Sequence, residues 1–356
     1  MTSATDHNRL LVKIARLYYE QDMTQGEIGK RLRLSRQKVQ RLVHQARDQG
    51  IVRIGIRPIM GIFSDLEKGL EEQFGLLEAV VVETSAYDNQ PTVAREVGVG
   101  AADYLMRVVQ PHDRIVLSWG GSLLGMVNTL SHHPSMEHKD VTVIQGLGGL
   151  ADPNNEIHAA DLTRRLSRSL GGKALLLPAP GVAGTQKAHD AHCGDPHVAG
   201  VLRQARAANL AFMGVGAPRP ESILVQEGTI VTWQELAALK KLGAVGDINL
   251  RYFDDNGRRV PSNLDDRVIG LTLEEISRID HVVGVAGGAE KFGAIRAALR
   301  GKLIDVLVTD HMTAKRLLTI EEADPNPPIR RPKKSLEKLT TPSRRKLAPT
   351  LPAYRQ

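Results

Sequence analysis

Polar side chains that can pair with DNA bases cluster in one short segment near the N-terminus. Arginine and lysine can donate to the exposed edge of guanine, and glutamine can pair with adenine. Both types follow Ser35, at Arg36, Gln37, Lys38, Gln40 and Arg41. In a helix, the apolar residues Val39 and Leu42 would lie on the other side from this set. The pattern predicts a helix that packs through one face and presents the other to a DNA major groove.

Two more helices are predicted to hold this reading helix in place. Thr24 and Glu27 have the spacing of a capping box, which starts a helix, and Ser35 can cap the helix that follows it. Residues 9–19 carry apolar side chains at helical spacing and predict a covering helix. Gly50 predicts the end of the reading helix, and residues 51–56 predict a short strand or wing.

We therefore predict a three-helix helix-turn-helix head over residues 1–58. The residues predicted to contact DNA bases or phosphates are Gln25, Ser35, Arg36, Gln37, Lys38, Gln40 and Arg41. A three-helix module that contacts another protein is the alternative interpretation.

Charges are distributed unevenly along the chain. Basic residues outnumber acidic ones by 12 to 5 in residues 1–58 and by 9 to 2 in residues 324–356, whereas acids exceed bases by 33 to 26 in residues 59–323. Because clustered cations attract phosphates, the head is expected to meet nucleic acid and the acidic body is not. The proline-rich end, residues 324–356, predicts a disordered basic tail. It is either a solvated extension or a source of non-specific DNA attraction.

Cysteine content and hydropathy indicate the compartment. Cys193 is the only cysteine, so no intramolecular disulfide is possible. The first residues lack the apolar core of a signal peptide, and no uninterrupted run of 18 apolar residues occurs. These features predict a cytoplasmic protein that does not enter a membrane.

Beyond residue 78, short β-branched runs alternate with helical patterns. Strands are predicted at residues 79–82, 114–117, 141–144, 173–177, 210–215, 281–285 and 304–308, and helices at residues 93–108, 123–130, 157–170, 198–207, 233–239, 290–299 and 311–318. This alternation is typical of an α/β fold with a mainly parallel sheet covered on both faces. Glycine-rich loops follow several strands, at the edge where such sheets bind ligands.

A linker helix is predicted within residues 59–77, between the head and the body at residues 78–323. Its apolar stripe consists of Phe63, Leu66, Leu70 and Phe74. Such a stripe could pair subunits and transmit a signal between body and head.

Taken in order, these segments resemble the SorC family of sugar-responsive bacterial transcriptional regulators. The resemblance covers residues 9 to about 320. It depends on the order and spacing of the segments at residues 24–42, 118–122, 145–149, 177–180, 213–216, 243–253 and 287–299. It implies a NagB/RpiA/CoA-transferase-like effector domain, as in sugar-phosphate isomerases and deaminases, that binds a sugar, polyol or sugar phosphate. It also implies that a homo-oligomer, a dimer or a tetramer, binds a double-stranded DNA operator.

The resemblance further implies where the effector binds. Lys291 matches a lysine that contacts effector phosphate, with a solvent-facing lysine as the alternative, and Asp247 matches an acidic residue that faces the pocket, with a turn residue as the alternative. Leu123 departs from members that have a second hydroxyl residue there. The candidate effector-binding residues are Gly120, Gly121, Ser122, Gln145, Gly148, Gly149, Asp247, Gly287, Gly288 and Lys291.

A metal site and an enzyme are the remaining alternatives. The donors His189, His192, Cys193 and His197 match no zinc signature, and Gly194 and Pro196 predict that they lie in a polar loop that gates the effector site. We predict no metal and no cofactor. A sugar-phosphate isomerase-like enzyme could use Asp247 or Glu290 as a base. The chain has no nucleophile elbow, nucleotide phosphate loop or dinucleotide glycine fingerprint, so we predict a regulator without catalytic residues.

Overall fold

The computed structural model describes residues 2–52, 62–131, 140–149, 159–219 and 231–322. The chain divides into two compact units, which meet in sequence at residues 59 and 60. We call them the head and the body. Within the described ranges, no helix is both long and apolar enough to cross a membrane. The predicted basic tail, residues 324–356, and most of the predicted wing, from residue 53 onward, lie outside these ranges.

The head consists of three helices, α1 (Thr2–Tyr19), α2 (Gln25–Leu32) and α3 (Arg36–Asp48). The predicted caps are confirmed: Thr24 and Glu27 form a capping box at α2, and the Ser35 hydroxyl accepts from the Lys38 amide at 3.2 Å. Gly50 follows α3 with a left-handed φ of 70°. These caps satisfy backbone groups that the helix ends leave without intrahelical partners.

The turn between α2 and α3 explains two unusual residues of the head. Arg33 has left-handed backbone (φ 55°, ψ 44°), where glycine is the usual residue. A Cβ atom on Gly29 would lie only 2.7 Å from the Leu34 carbonyl oxygen. The absence of a side chain at Gly29 therefore lets the turn close tightly beneath α3.

A seven-stranded, fully parallel sheet forms the centre of the body. Its strands are β1 (Glu78–Val82), β2 (Arg114–Leu117), β3 (Thr142–Gln145), β4 (Lys173–Leu175), β5 (Leu210–Gly214), β8 (His281–Val285) and β9 (Val306–Asp310), in the order β1-β9-β8-β5-β2-β3-β4. All seven were expected from the sequence, with ends that differ by at most two residues. The predicted fold class is confirmed.

Helices cover both faces of this sheet. They are α5 (Gln90–Val108), α6 (Gly121–Ser131) and α7 (Ala159–Ser169) on one face, and α4 (Ser64–Phe74), α9 (Pro196–Arg206), α12 (Phe292–Arg300) and α13 (His311–Glu322) on the other. Successive strand residues point to opposite faces, so Ile115 and Leu117 join the first core and Val116 joins the second. The centres of the inner strands are mainly apolar because both faces of the sheet are buried there.

A small lobe lies beside the sheet; its helix was expected at residues 233–239, but its hairpin was not. Two three-residue strands, β6 (Gly246–Ile248) and β7 (Arg251–Phe253), form an antiparallel hairpin, and α10 (Trp233–Lys241) packs with it around a separate small core. Asn249 and Leu250 form the hairpin turn, both with left-handed backbone (φ 58° and 62°). A short helix, α11 (Leu273–Ile276), follows the lobe.

The apolar stripe of α4 is buried within its own chain. Leu70 and Phe74 belong to the main core, and Phe63 and Leu66 pack against it. The carboxylates of Glu67 and Glu71 accept hydrogen bonds from strand β1, at the amides of Val81 (3.0 Å) and Ala79 (3.1 Å). The linker helix is therefore present, but the expectation that its stripe pairs subunits is wrong because the stripe is already covered.

The loop expected around Cys193 is also a helix. Residues Gln186–Gly194 form α8, capped by the Thr185 hydroxyl, which accepts from the Ala188 amide at 3.1 Å. Asp195 then ends α8 and caps α9 through the amides of His197 and Val198. Gly194 and Pro196 mark the junction of two helices, and the prediction of a loop at this segment is wrong.

Candidate functional site

A cavity of about 710 Å³ opens at the carboxyl ends of the central strands. Its floor comes from the residues that follow β2 and β5 and from Val285 at the end of β8. The first residues of α5 and α6 form one wall, and the hairpin of the small lobe forms another. This is the edge at which parallel α/β sheets bind ligands, because the strand-to-helix loops there leave backbone groups accessible.

The start of α6 points its backbone at the cavity. Gly120 has φ 124°, a conformation open to glycine, and the helix begins at Gly121. The helix packs so closely on α5 that a Cβ atom on Gly98 would lie 2.7 Å from the backbone of Gly125 and Ser122. This packing fixes the direction of α6, whose N-terminal amides and dipole favour an anionic group.

Asp247 supplies a buried carboxyl group to the opposite wall. Its side chain is 5% exposed, and its Oδ2 accepts from the Leu250 amide at 3.2 Å. A Cβ atom on Gly216 would overlap Asp247 Oδ1, so Gly216 makes room for the carboxyl group. Burial raises the pKa of Asp247 to about 6, although the Leu250 hydrogen bond and the charge of Lys291 act in the other direction.

Lys291 provides the matching cation. It ends a short 3₁₀ turn and precedes α12, and its side chain lines the cavity. Burial lowers the pKa of Lys291, and the negative charges of Asp247 and Glu290 partly offset this effect. Burial disfavours the charged forms of both Asp247 and Lys291. A ligand that hydrogen-bonds to these charged forms would stabilise them.

Asn249 and Ser118 link the hairpin to the sheet. The Asn249 amide donates to the Gly146 carbonyl at 2.8 Å, and its oxygen accepts from the Ser118 hydroxyl at 3.2 Å. Asparagine tolerates the left-handed backbone needed at this turn. Both side chains line the cavity, and their bonds hold the hairpin wall against β2.

Half of the effector-binding candidates line the cavity. These are Gly120, Gly121, Ser122, Asp247 and Lys291. Gln145 lies outside the lining, where its amide donates to the Leu147 carbonyl (2.6 Å) and its oxygen accepts from the Leu177 amide (3.2 Å). Effector binding by the five lining residues remains a prediction.

The four other glycine candidates also have structural roles away from the lining. Gly148 and Gly149 run beside residues 179–180, and a Cβ atom on Gly148 would overlap the backbone there. Gly287 and Gly288 lie behind the cavity wall, where the Gly288 amide donates to Asp310 at 2.8 Å. Close backbone packing explains glycine at Gly148, and a left-handed φ of 93° beside the Gln90 side chain explains glycine at Gly288.

Several residues of the lining were not among the effector-binding candidates named from the sequence. They include Gln90, Arg95, Ser118, Asn128, Arg219 and Asn249. Arg219 forms an ion pair of 3.6 Å with Glu290, which also lines the cavity. Residues 90 and 95 lie on the first turns of α5, and no local motif marks a helix start that will face a ligand.

The DNA-contact candidates of the head form an exposed set. Ser35, Arg36, Gln37, Lys38, Gln40 and Arg41 are exposed at the start of α3, and Gln25 is half-buried at the start of α2. Val39 and Leu42 are buried in the head core, so α3 packs through one face and presents the other to solvent. Contact with DNA remains a prediction for each of these side chains.

The donors on α8 form a small hydrogen-bonded group. The Cys193 sulfur lies 3.4 Å from His189 Nε2, and His189 Nδ1 lies 3.0 Å from the Asp190 carboxylate. Burial raises the pKa of the Cys193 thiol. In the part of the chain that the structure describes, no three histidine, cysteine or acidic side chains are grouped so that they could hold a metal.

Comparison with known proteins finds matches to both units of the chain. The family model for a sugar-binding domain matches residues 61–319, and a model of sigma-70 region 4 matches residues 13–49. The chain is 31% identical over 316 residues to the deoxyribonucleoside regulator of Bacillus subtilis, which covers 88% of this chain and 98% of that protein. It is 32% identical to the transcriptional regulator LsrR of Escherichia coli K12, over 86% of this chain and 94% of that protein.

A solved structure extends the similarity over nearly the full length. The full-length sorbitol operon regulator SorC of Klebsiella pneumoniae matches with a TM-score of 0.65 at 29% identity. The match covers 88% of this chain and 99% of that one. Head and body thus occur in the same order in a protein of known structure.

Proposed function

The chain belongs to the SorC family of sugar-binding transcriptional regulators, and on that premise we propose that its cavity binds the effector and its α3 helix contacts the operator. The protein is a DNA-binding transcriptional regulator under effector control. The observation that carries the proposal is the meeting of Asp247, Lys291 and the α6 N-terminus in one cavity. A carboxylate accepts hydroxyl hydrogens, while a cation and helix amides bind an anion.

The effector class follows from this combination. We infer a small polyhydroxylated compound, a sugar or polyol, with a phosphate or other anionic group near Lys291. The relatives' names mention sorbitol and deoxyribonucleosides, which are compounds that carry more than one hydroxyl group. The proposed contact set is Gln90, Gly120, Gly121, Ser122, Asp247, Asn249 and Lys291.

The site is proposed to bind its ligand without turnover. The matched relatives cited above are named as regulators, and a regulator needs a stable complex. The isomerase alternative would require Asp247 to remove a proton from a bound sugar phosphate. Incubation of the protein with the aldose phosphate D-ribose 5-phosphate in D₂O, followed by NMR, tests this. Deuterium incorporation at carbon or a new product would favour the enzyme.

The linker helix α4 is proposed to transmit the signal. Phe63, which precedes α4, stacks on His311 with ring centroids 5.0 Å apart and planes at 13°. His311 follows Asp310, and Asp310 Oδ2 accepts from the Gly288 amide, three residues before Lys291. Short contacts therefore connect the cavity wall to the start of α4. We infer that effector binding shifts this connection and alters how paired heads of a dimer or tetramer fit a two-fold operator in the cytoplasm.

A thermal-shift titration tests the proposed cavity. Wild-type protein is expected to melt at a higher temperature with at least one of D-glucitol 6-phosphate, D-ribose 5-phosphate, 2-deoxy-D-ribose 5-phosphate and their unphosphorylated forms. Gly216→Val, which would drive a side chain into the Asp247 carboxyl group, should lose the response. An unchanged melting temperature with every probe, or an equal response in Gly216→Val, would contradict the proposed site.

A further inference from the structure

Two buried polar atoms in the cavity region stand apart from the hydrogen-bond network of the protein. The Gln90 side-chain oxygen and the Ser122 hydroxyl are both buried, and no described residue gives either of them a hydrogen-bond partner. Both residues line the cavity, and Ser122 is only 2% exposed. A buried polar atom without a partner is costly, so such atoms call for an explanation by function.

The orientation of the Gln90 amide is fixed by its other end. Gln90 Nε2 donates to the Gly287 carbonyl oxygen at 3.1 Å. Rotating the amide by half a turn would place Gln90 Oε1 against that carbonyl, and two acceptors would then repel each other. The nitrogen therefore faces Gly287, and the oxygen is left as an acceptor.

The surroundings hold Gln90 at this position. It is the first residue of α5, after Asn89, whose side chain accepts from the Thr92 amide and caps the helix. A Cβ atom on Gly288 would lie 2.6 Å from Gln90 Oε1, so glycine at that position makes space for the amide. The Gly288 amide is in turn held by Asp310 (2.8 Å) and Thr313 (3.0 Å).

We propose that Gln90 determines effector specificity by accepting a hydrogen bond from one hydroxyl group of the ligand. This rests on the proposed function of the cavity as the effector site. An acceptor at this position selects a hydroxyl or another donor and rejects a ketone, ether or phosphate oxygen. A site built to bond a hydroxyl discriminates strongly against an analogue that lacks it, because the buried acceptor is then left unpaired.

Ser122 complements this selection. A hydroxyl group both donates and accepts, so Ser122 can bond either a hydroxyl or an anionic oxygen near the α6 N-terminus. The unpaired atom of Gln90 is a carbonyl oxygen, which can only accept. The two residues therefore differ in the groups they admit, and the stricter requirement lies with Gln90.

The test combines a substitution at Gln90 with deletion of single ligand hydroxyls. The dissociation constants of wild type, Gln90→Leu and Gln90→Met are measured by calorimetry. The probe is whichever of D-glucitol 6-phosphate and D-ribose 5-phosphate binds wild type more tightly, together with each of its monodeoxy derivatives. Gln110→Leu is the matched control, since it makes the same change at an exposed glutamine that follows the C-terminal end of α5.

The losses of affinity from substituting Gln90 and from deleting the contacted hydroxyl are expected not to add. Both Gln90 variants should bind the parent probe about 10-fold more weakly than wild type, as expected for an unpaired buried hydroxyl. One monodeoxy derivative should bind wild type more weakly than the parent probe does, by a similar factor. The Gln90 variants should bind this derivative and the parent probe with equal affinity. Gln110→Leu should bind every probe like wild type. The Gln90→Met variant keeps the side-chain length, so it serves as the measurement if leucine alters the start of α5.

Each contrary outcome has a distinct meaning. Equal affinity of wild type and the Gln90 variants for the parent probe overturns the role of Gln90 and leaves the cavity as the effector site. The same conclusion follows if substitution of Gln90 weakens the binding of every monodeoxy derivative as much as that of the parent probe, because Gln90 then contacts none of the deleted hydroxyls. Wild-type protein that binds none of the probes overturns the proposed function, and the assignment of Gln90 with it.

Discussion

Replacing Asp247 by asparagine should stabilise the body and impair effector binding. The carboxyl group is 5% exposed, and its pKa is raised from 3.8 to about 6, chiefly by burial. The folded protein therefore holds a proton on Asp247 more tightly than the unfolded chain does. The associated stability is fully present below pH 3.8 and is lost as the pH rises through about 6.

The magnitude follows from the pKa difference. Raising a pKa from 3.8 to about 6 corresponds to about 3 kcal/mol of destabilisation at pH 8, where the carboxylate is ionised in both states. Asparagine has nearly the same shape, has no charge to desolvate, and can still accept from the Leu250 amide. Asp247→Asn should thus raise the free energy of unfolding by up to about 3 kcal/mol at pH 8 and by almost nothing near pH 4.

Urea unfolding at several pH values measures this difference. Both tryptophans, Trp119 and Trp233, lie in the body, so their fluorescence reports its unfolding. Asp280→Asn, at an exposed position, is the control. A gain in stability for Asp247→Asn that is the same from pH 4 to pH 8 would refute the argument from burial of the charge. Probe affinity should fall in the same variant, as expected when a binding group is kept at a cost in stability.

Four further predictions concern the head, the linker and the cavity. Gly29→Ala should destabilise the head because its Cβ would lie 2.7 Å from the Leu34 carbonyl, although alanine favours helices over glycine by about 1 kcal/mol. Arg33→Gly should stabilise the head by about 1 kcal/mol, because glycine adopts the left-handed backbone at this position without strain. Hydrogen exchange of the α2 and α3 amides measures both. Phe63→Ala should leave probe affinity unchanged within about threefold but abolish the effect of the probe on DNA binding. Lys291→Met should weaken binding of phosphorylated probes at least about 10-fold and affect the unphosphorylated compounds less, as calorimetry would show.

The outcomes that contradict these predictions are equally specific. Faster exchange in Arg33→Gly than in wild type would show that the turn is not strained. A full DNA response in Phe63→Ala would exclude the stack on His311 as part of the transmission. Equal losses for charged and neutral probes in Lys291→Met would indicate a structural role for the lysine and no direct contact with an anion.

The sequence predicted the sheet well because most of its strands are short, mainly apolar runs with buried centres. Residues 114–117 and 281–285 were located without error. The hairpin was missed because its strands are three residues long and its turn is Asn249–Leu250, without the glycine that usually marks such a turn. The helix α8 was missed because Gly194 and Pro196 suggested a loop, whereas they mark its end and the start of α9.

The cavity was predictable only in part, for a physical reason. Glycine after a strand indicates either access for a ligand or close packing of backbone, and the sequence does not separate the two. Gly120 and Gly121 line the cavity, whereas Gly148 packs against residues 179–180. Gln90 lies far in sequence from the walls that contain Asp247 and Lys291, and its unpaired oxygen becomes visible only when the Gly287 carbonyl is placed beside it.

The most direct test measures DNA binding and effector binding in the same molecule. Fluorescence anisotropy gives the dissociation constant for the DNA fragment upstream of the protein's own gene, with and without the bound probe. The proteins compared are wild type, Lys291→Met and the triple variant Arg36→Ala, Lys38→Ala, Arg41→Ala. We expect the probe to change the wild-type dissociation constant for DNA at least about fivefold. Lys291→Met should bind DNA normally without responding to the probe, and the triple variant should bind the probe but not the DNA. Unaltered DNA binding by the triple variant, or a wild-type constant that no bound probe changes, would contradict the proposed function.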